Sequence, residues 1–364
     1  LIVGPEDPLV KGIRDYFETY PQFKDLLIVG PGKAGAALEG SKDFSKQFMQ
    51  RHNIPTAKYA TFTKNELQEG IEYVKKMTPP IVLKADGLAA GKGVIILEDT
   101  EEAIATLKEM IVEEKFGTAS QKVVIEEFLS GIELSVFVLT DGTNYKILPE
   151  AKDYKRIGEG DTGPNTGGMG AISPVYFADN DFMQKVEEKV IKRTIDGLKK
   201  DGIPYCGFIF IGLMNVKGEP LVIEYNVRMG DPETEAVIPR IKNDLVELLS
   251  ATASGNLNAQ QLEISDEYAA TVVLVSGGYP GNYPKGKIIS GLKNTQSALV
   301  FHAGTSLKDE NVLTNGGRVL AVTGLGSDME KAMENAYKAV DNIYWDGKNY
   351  RKDIGMDLLE KRLS

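Results

Sequence analysis

The chain has 364 residues, with 42 Lys plus Arg against 52 Asp plus Glu, and a net charge of −10. That balance argues against nucleic acid as the main partner, because binding a phosphate backbone needs a positive footprint. One cysteine, Cys206, and two histidines, His52 and His302, exclude intrachain disulfides, cysteine-rich zinc sites and a histidine-rich metal centre. No run of about 18 apolar residues is present, so no transmembrane helix and no membrane partner are expected. The length implies two or three domains at about 150 residues each. The scarcity of cysteine favours a reducing compartment, and a cytoplasmic location is the expectation. The chain starts at Leu1 inside an apolar run rather than at Met, and reads as a fragment or processed product.

Strand-like and helix-like segments alternate, which predicts α/β or α+β layers. Leu1–Gly4 and Leu26–Gly30 read as short buried strands with a helix over Val10–Tyr20 between them, a βαβ-like unit. Ser41–Asn53 reads as a helix with Ser41 as N-cap and an apolar stripe of Phe44, Phe48 and Met49. A strand at Tyr59–Phe62 and a helix at Lys64–Met77 follow. Ile81–Lys84 and Gly93–Leu97 are strands flanking a glycine-rich turn. After a helix at Thr100–Glu114 come strands at Lys122–Phe128 and Glu133–Thr140. Residues 155–174 carry many glycines without periodicity and are expected to be a long irregular, functional loop. Phe182–Lys200 is helical. Cys206–Val216 and Pro220–Tyr225 are strands, and Leu245–Ser254 is a helix. Beyond about residue 265 the pattern changes to short strands, closed by an amphipathic helix at Asp328–Tyr344.

Two glycine motifs come close to known phosphate loops and miss. Gly30–Gly35 (GPGKAG) has dinucleotide-fold spacing but lacks the acid expected about 20 residues later, so a plain turn is favoured. Gly87–Gly93 (GLAAGKG) has three residues between its glycines and no Ser or Thr after Lys92, so it is not a P-loop. It can still fold over phosphates and donate backbone N–H groups; an ordinary glycine-rich hairpin weighs about equally.

Lys84 ends an apolar strand just before that loop, where a compact cation suits an α- or β-phosphate. Lys46 sits on the 41–53 helix. For each, an ordinary surface lysine is the plainer alternative. Ile125–Glu133 (IEEFLSGIE) joins two strands through a short apolar linker whose extended backbone can pair with an adenine edge; a hairpin with exposed acids is the plainer alternative. Glu133 could accept from ribose hydroxyls. Strand alternation puts Glu224 and Asn226 on one face, a donor set suited to Mg²⁺ beside phosphates. Arg228, Asp231 and Glu233 crowd the turn that follows, and arginine suits bidentate carboxylate or phosphate contacts.

The order of these pieces resembles the ATP-grasp fold. The stretches DTGPNTGGMG (161–170) and EYNVRMGDPET (224–234), with LEGSK, KADGLAAGKGV, GGYPG, FHAGT, TNGGRV and RKDIG, resemble the phosphoribosylamine–glycine ligase (glycinamide ribonucleotide synthetase) family over essentially the whole chain. The resemblance implies an ATP-grasp core at 41–260, with a flap-bearing subdomain at 59–128. It also implies a truncated Rossmann-like N-terminal domain at 1–40 and a small β-rich C-terminal domain at 261–364. The implied reaction joins glycine to 5-phosphoribosylamine through glycyl phosphate in purine biosynthesis, with ATP and Mg²⁺ or Mn²⁺. The protein is expected to be a monomer.

The implied ATP contacts are Lys46, Lys84, the flap residues Gly91, Lys92 and Gly93, the adenine segment Glu126, Glu127, Phe128 and Leu129, and Glu133 for ribose. Glu224 and Asn226 are implied metal ligands. Arg228, Asp161 and Asp231 are the expected catalytic residues, and Asn165, Thr166, Gly167, Gly168 and Glu233 the substrate-contacting ones. Asn315–Arg318 is weighed between the same cleft and a solvated turn. Four departures from the family stand out. About two βα units, roughly 60 residues, are expected to be missing at the start; Tyr154 replaces the usual His; Gln22–Asp25 is extra length; and the strand before E-x-N carries no further acid. The competing readings are another ATP-grasp carboxylate–amine ligase, a non-catalytic ATP-binding fragment and, weakest, a dehydrogenase.

Overall fold

The computed structural model describes residues 1–88 and 93–363. Its packing divides the chain into two units, each discontinuous in sequence. One comprises Leu1–Ile147, Asn180–Met229 and Asp244–Gln261; the other comprises Leu148–Asp179, Gly230–Asn243 and Leu262–Ser364.

The first unit carries two four-stranded antiparallel sheets. One has the order Tyr59–Thr63, Lys122–Glu127, Ile81–Ala85, Val94–Leu97. Strand alternation sorts its two faces. Ile81, Leu83, Val123 and Ile125 pack with Ile71, Val74, Leu107 and Met110 of helices Leu67–Lys75 and Thr100–Val112. The same alternation turns Lys84 and Glu126 to the opposite face. The second sheet has the order Glu219–Asn226, Gly207–Val216, Ile132–Thr140, Tyr145–Ile147. The 125–133 segment is therefore not a hairpin: it carries the chain from one sheet to the other.

Helix Lys42–Arg51 begins as expected, with the Ser41 side chain accepting from the Phe44 N–H. The predicted helix at 10–20 is instead two short helices, Glu6–Val10 and Ile13–Thr19, separated at Gly12 with φ 85°. The two predicted N-terminal strands reduce to one parallel bridge, Ile2 to Val29. GPGKAG opens helix Lys33–Gly40, but its first N–H already bonds to the Asp15 carboxylate at 2.7 Å. An anion-binding dinucleotide turn would need that group free.

The second unit is built on the sheet Ala298–His302, Arg318–Gly326, Tyr268–Ser276, Gly170–Ser173, Lys152–Asp153, with Lys348–Asn349 as a further pair. Helix Met329–Asn342 packs on it through Met329, Ala332, Met333, Ala336 and Val340. Residues 155–174 are more regular than their composition suggests. They form a small hairpin, Arg156–Gly158 with Thr162–Asn165, before entering the sheet at Gly170. No helix among the described residues is long and apolar enough to cross a membrane.

Candidate nucleotide and acceptor sites

Lys84 and Glu126 lie on adjacent strands, where Lys84 pairs with Val124 and Val82 with Glu126. They are diagonal neighbours on one face. Lys46 reaches the same carboxylate from helix Lys42–Arg51. Its ammonium is 3.0 Å from Glu126 Oε2, and that of Lys84 is 3.0 Å from Oε1. All three are nearly sealed from solvent, at 2%, 4% and 3% exposure for Lys46, Lys84 and Glu126. Glu126 Oε1 receives no well-directed hydrogen bond, so its pairing with Lys84 is chiefly electrostatic. Neither lysine is the solvated surface group that its sequence position allowed.

The second sheet supplies the remaining contacts. Lys46 donates to Thr56 Oγ1 at 2.7 Å, and that hydroxyl donates to the Val222 carbonyl. Strand Glu219–Asn226 has a bulge at Ile223, which has no partner on the neighbouring strand. A bulge leaves one residue outside the ladder, and the Ile223 carbonyl accepts from Lys84 at 3.2 Å. Two ammonium groups thus share one carboxylate. Burial pushes Lys46 down to about 8 and the Lys84 charge adds to this, while Glu126 opposes it. A buried excess of positive charge is expensive unless an anion completes it.

Beyond the bulge, Glu224 and Asn226 share a face and are half-buried. Among the described residues, neither side chain makes a hydrogen bond or ion pair. A carboxylate and an amide oxygen left free beside cations suit a hard divalent ion that also takes phosphate oxygens. Lys42, overlooked in the sequence, lies within electrostatic range of Glu224, Lys84 and Glu126, and burial lowers its pKa. Its ammonium donates to the Gly87 carbonyl at 3.3 Å. Asp86 holds the start of that helix, accepting from Ser41 Oγ and the Asp43 N–H. Gly91 and Lys92 lie outside the described residues; the Gly93 carbonyl accepts from the Ala85 N–H at 2.8 Å.

Comparison with known proteins gives this geometry its context. The pattern of the phosphoribosylglycinamide synthetase ATP-grasp (A) domain matches residues 40–234, and that of the C domain of the same synthetase matches 269–357. A phosphoribosylamine–glycine ligase of Vibrio cholerae is 47% identical over 97% of this chain and 82% of its own length. The chain belongs to the phosphoribosylamine–glycine ligase family. The enzyme of that name from Escherichia coli K12 is 46% identical over 99% of this chain and 83% of its own. The crystal structure of the Thermotoga maritima phosphoribosylamine–glycine ligase superposes with a TM-score of 0.83. It is 41% identical and covers 92% of this chain and 84% of that one. The ATP-grasp core and β-rich C-terminal region expected for this family are therefore present.

Within this ligase fold, several of the expected residues have partners that the sequence did not suggest. Glu126, expected in the adenine segment, points its side chain inward as the counter-ion of both lysines. Glu127 turns back to the chain, where its carboxylate accepts from the Lys58 N–H at 2.9 Å. Phe128 is exposed, and Leu129 and Glu133 flank the crossing between sheets. Arg228 donates to Glu39 Oε1 at 2.8 Å and to the Met229 carbonyl. Its Nε is 3.5 Å from Glu6 but forms no hydrogen bond among the described residues. Glu39 also accepts from the Val227 N–H at 2.8 Å. Burial raises its pKa, against the opposing pull of Arg228. No local signal marked Glu39 beyond its place in LEGSK.

The remaining expected residues belong to the second unit. Asp161, with φ 54°, pairs with Arg351 at 2.6 Å. Arg351 is itself fully buried and held by Asp353 through two further bonds. Asp161 therefore anchors the 156–165 hairpin. Tyr154 is buried in the same cluster, donating to Asp357 at 2.6 Å and accepting from the Gly355 N–H. Both oxygens of Asp231 are taken by Arg318 at 2.8 Å, so the solvated-turn alternative for Arg318 fails. Thr166 Oγ1 donates to the Lys155 carbonyl and accepts from the Gly168 N–H, and Asn165 is exposed on the hairpin. Glu233 is buried against Gly230. Near Asp231, Glu235 has a buried Oε2 with no hydrogen-bond partner among the described residues. Burial, reinforced by Asp231, pushes its carboxyl up to about 7.

Proposed function

We propose that this protein joins glycine to 5-phosphoribosylamine at the expense of ATP, forming glycinamide ribonucleotide, ADP and phosphate. The observation that carries this reading is the buried Lys46–Glu126–Lys84 cluster beside Glu224 and Asn226, whose side chains make no hydrogen bond or ion pair among the described residues. It places two buried ammonium groups on one carboxylate, beside oxygen donors suited to a hard divalent ion. The near full-length likeness to phosphoribosylamine–glycine ligases supplies the identity of the acid and the amine.

A carboxylate is a poor electrophile. A glycine carboxylate oxygen attacks the γ-phosphorus of ATP, and the bond to the ADP oxygen breaks, giving glycyl phosphate. The amine nitrogen of phosphoribosylamine then attacks the acyl carbon, loses a proton, and phosphate leaves. No protein nucleophile is required. Lys46 and Lys84 offset phosphate charge before and during transfer, within a recess whose low exposure strengthens that interaction. Thr56 and the Val222 and Ile223 carbonyls aim the two ammonium groups. Glu224 and Asn226 fit a magnesium or manganese ion, which supplies further charge neutralisation on the phosphates when bound. Residues 126–129 are assigned to adenine and Glu133 to ribose by the likeness to the family. Residues 165–168 and 231–233 are assigned to the glycine and phosphoribosylamine side.

The test is ADP release with ATP, magnesium and glycine, with and without phosphoribosylamine generated in situ, and mass analysis of the product. Release that requires both co-substrates, with glycinamide ribonucleotide formed, is the expected result. ADP release indifferent to both, or formation of a different amide, would overturn the assignment.

A further inference from the structure

Arg318 opens the strand Arg318–Gly326, immediately after Gly316 and Gly317. Its guanidinium holds two segments that are far apart in sequence. Nη1 and Nη2 each donate to one Asp231 oxygen at 2.8 Å, and Nη1 also donates to the Gly167 carbonyl at 2.6 Å. A fourth contact runs from Nη1 to the Asp231 carbonyl at 3.2 Å. The Gly167 peptide is gripped from its other side as well, because its N–H donates to the Tyr279 hydroxyl at 3.0 Å. The fit is close. A Cβ on Gly167 would lie 2.9 Å from the Arg318 Cζ, and one on Gly168 would lie 2.3 Å from the Pro232 Cδ.

We propose that Arg318 is a positioning residue for the acceptor side of the reaction, fixing the 165–168 loop against the 231–233 turn, with Tyr279 completing the grip. This rests on the ligase reading given above, which assigns those two segments to glycine and phosphoribosylamine. Asp231 then acts as the anchor of the turn rather than as a reacting acid, since both of its oxygens are already bound. The planar fork is what the arrangement requires. It presents parallel N–H groups to the carboxylate and still meets the Gly167 carbonyl, whereas a lysine ammonium has no such fork.

The test compares Arg318→Lys and Tyr279→Phe with the unaltered chain by steady-state kinetics, and by hydrogen exchange across residues 160–170. Arg318→Lys should raise KM for glycine or phosphoribosylamine about tenfold, equivalent to about 1.4 kcal/mol, while KM for ATP changes less than about twofold. Backbone exchange at 165–168 should quicken. Tyr279→Phe, which removes one acceptor and leaves the charges alone, should shift the same quantities less. A residue that merely stabilises the fold would lower Tm and the active fraction while leaving all three KM values alone, and that pattern in both variants would sink the proposal. Unchanged KM values with unchanged exchange would do the same. Should the unaltered chain show no ligation, the ligase reading fails on its own. The exchange comparison would still decide whether Arg318 holds the loop to the turn.

Discussion

Glu39 and Arg228 meet across 189 residues of sequence, the Arg228 Nη2 donating to Glu39 Oε1 at 2.8 Å. The other Glu39 oxygen accepts from the Val227 N–H, so one buried carboxylate fixes the end of the strand that presents Glu224 and Asn226. Removing one partner of a buried pair leaves an uncompensated charge. Glu39→Ala should therefore cost about 3 kcal/mol of stability, and it should raise the magnesium concentration needed for half-maximal turnover. Denaturant unfolding and a magnesium titration check the two effects separately. A lost fold stability with an unchanged magnesium requirement would show that the strand end holds itself in place.

Lys46 gives opposite pH trends for stability and for nucleotide affinity. Burial brings its pKa to about 8 in the folded chain, against an ordinary lysine value of 10.5. Between those values the unfolded chain binds the extra proton, so this group's contribution to stability rises with pH. If Lys46 holds the phosphates as proposed, ATP binding needs the charged ammonium, and affinity should fall above pH 8, by at most about tenfold per pH unit for one proton. Calorimetric titration from pH 7 to 9.5 reads this directly. Lys46→Arg, which stays charged throughout, should flatten the decline; the same slope in that variant would move the titrating group elsewhere.

Glu126→Gln leaves two buried ammonium groups without their carboxylate. Loss of one member of such a cluster costs about 3–5 kcal/mol. ATP should restore part of the loss, because its phosphates supply the missing negative charge. The rise in Tm on adding ATP should consequently be larger in Glu126→Gln than in the unaltered chain. An equal or smaller rise would argue that the phosphates bind away from the two lysines.

Glu235 should make the protein less stable as pH rises from about 4.5 to about 7. Burial raises its folded value to about 7 from the ordinary glutamate value of 4.5, so in that window the folded chain holds the proton that the unfolded chain has released. Glu235→Gln removes this penalty and should stabilise the protein at pH 8 by about 2–3 kcal/mol. Tm measured at pH 5.5 and pH 8 tests the sign, and a variant less stable than the parent at pH 8 would refute it.

Gly168→Ala should disrupt the loop. The residue has φ 112°, a region that side chains rarely adopt, and the added carbon would overlap Pro232. Activity should fall with little change in ATP affinity, as judged by calorimetry beside turnover. Equal loss of both would place the damage in the fold at large.

Much of this was legible in the sequence. The alternating apolar runs located the sheets, Ser41 marked its helix, and the order of lysines, linker and E-x-N pointed to the ATP-grasp core. Local rules suffice there because strand alternation, capping and helical spacing act over a few residues. They also put Lys84 and Glu126 on one face once the strands were known to be neighbours. The partners of the charged groups were not legible. Glu126 read as part of a linker, Asp161 and Asp231 as catalytic residues, and Arg318 as one of two options. Each is paired with a group far along the chain: Asp231 with Arg318 over 87 residues, and Asp161 with Arg351 over 190. Sequence by itself determined most of the core strands and helices and which residue types carry the chemistry, but not the break at Gly12 or the 156–165 hairpin. Tertiary structure alone decided which charges cancel and which are left over for a ligand. Strand pairing and loop closure set those distances, and an electrostatic interaction depends on separation and burial rather than on position in the chain.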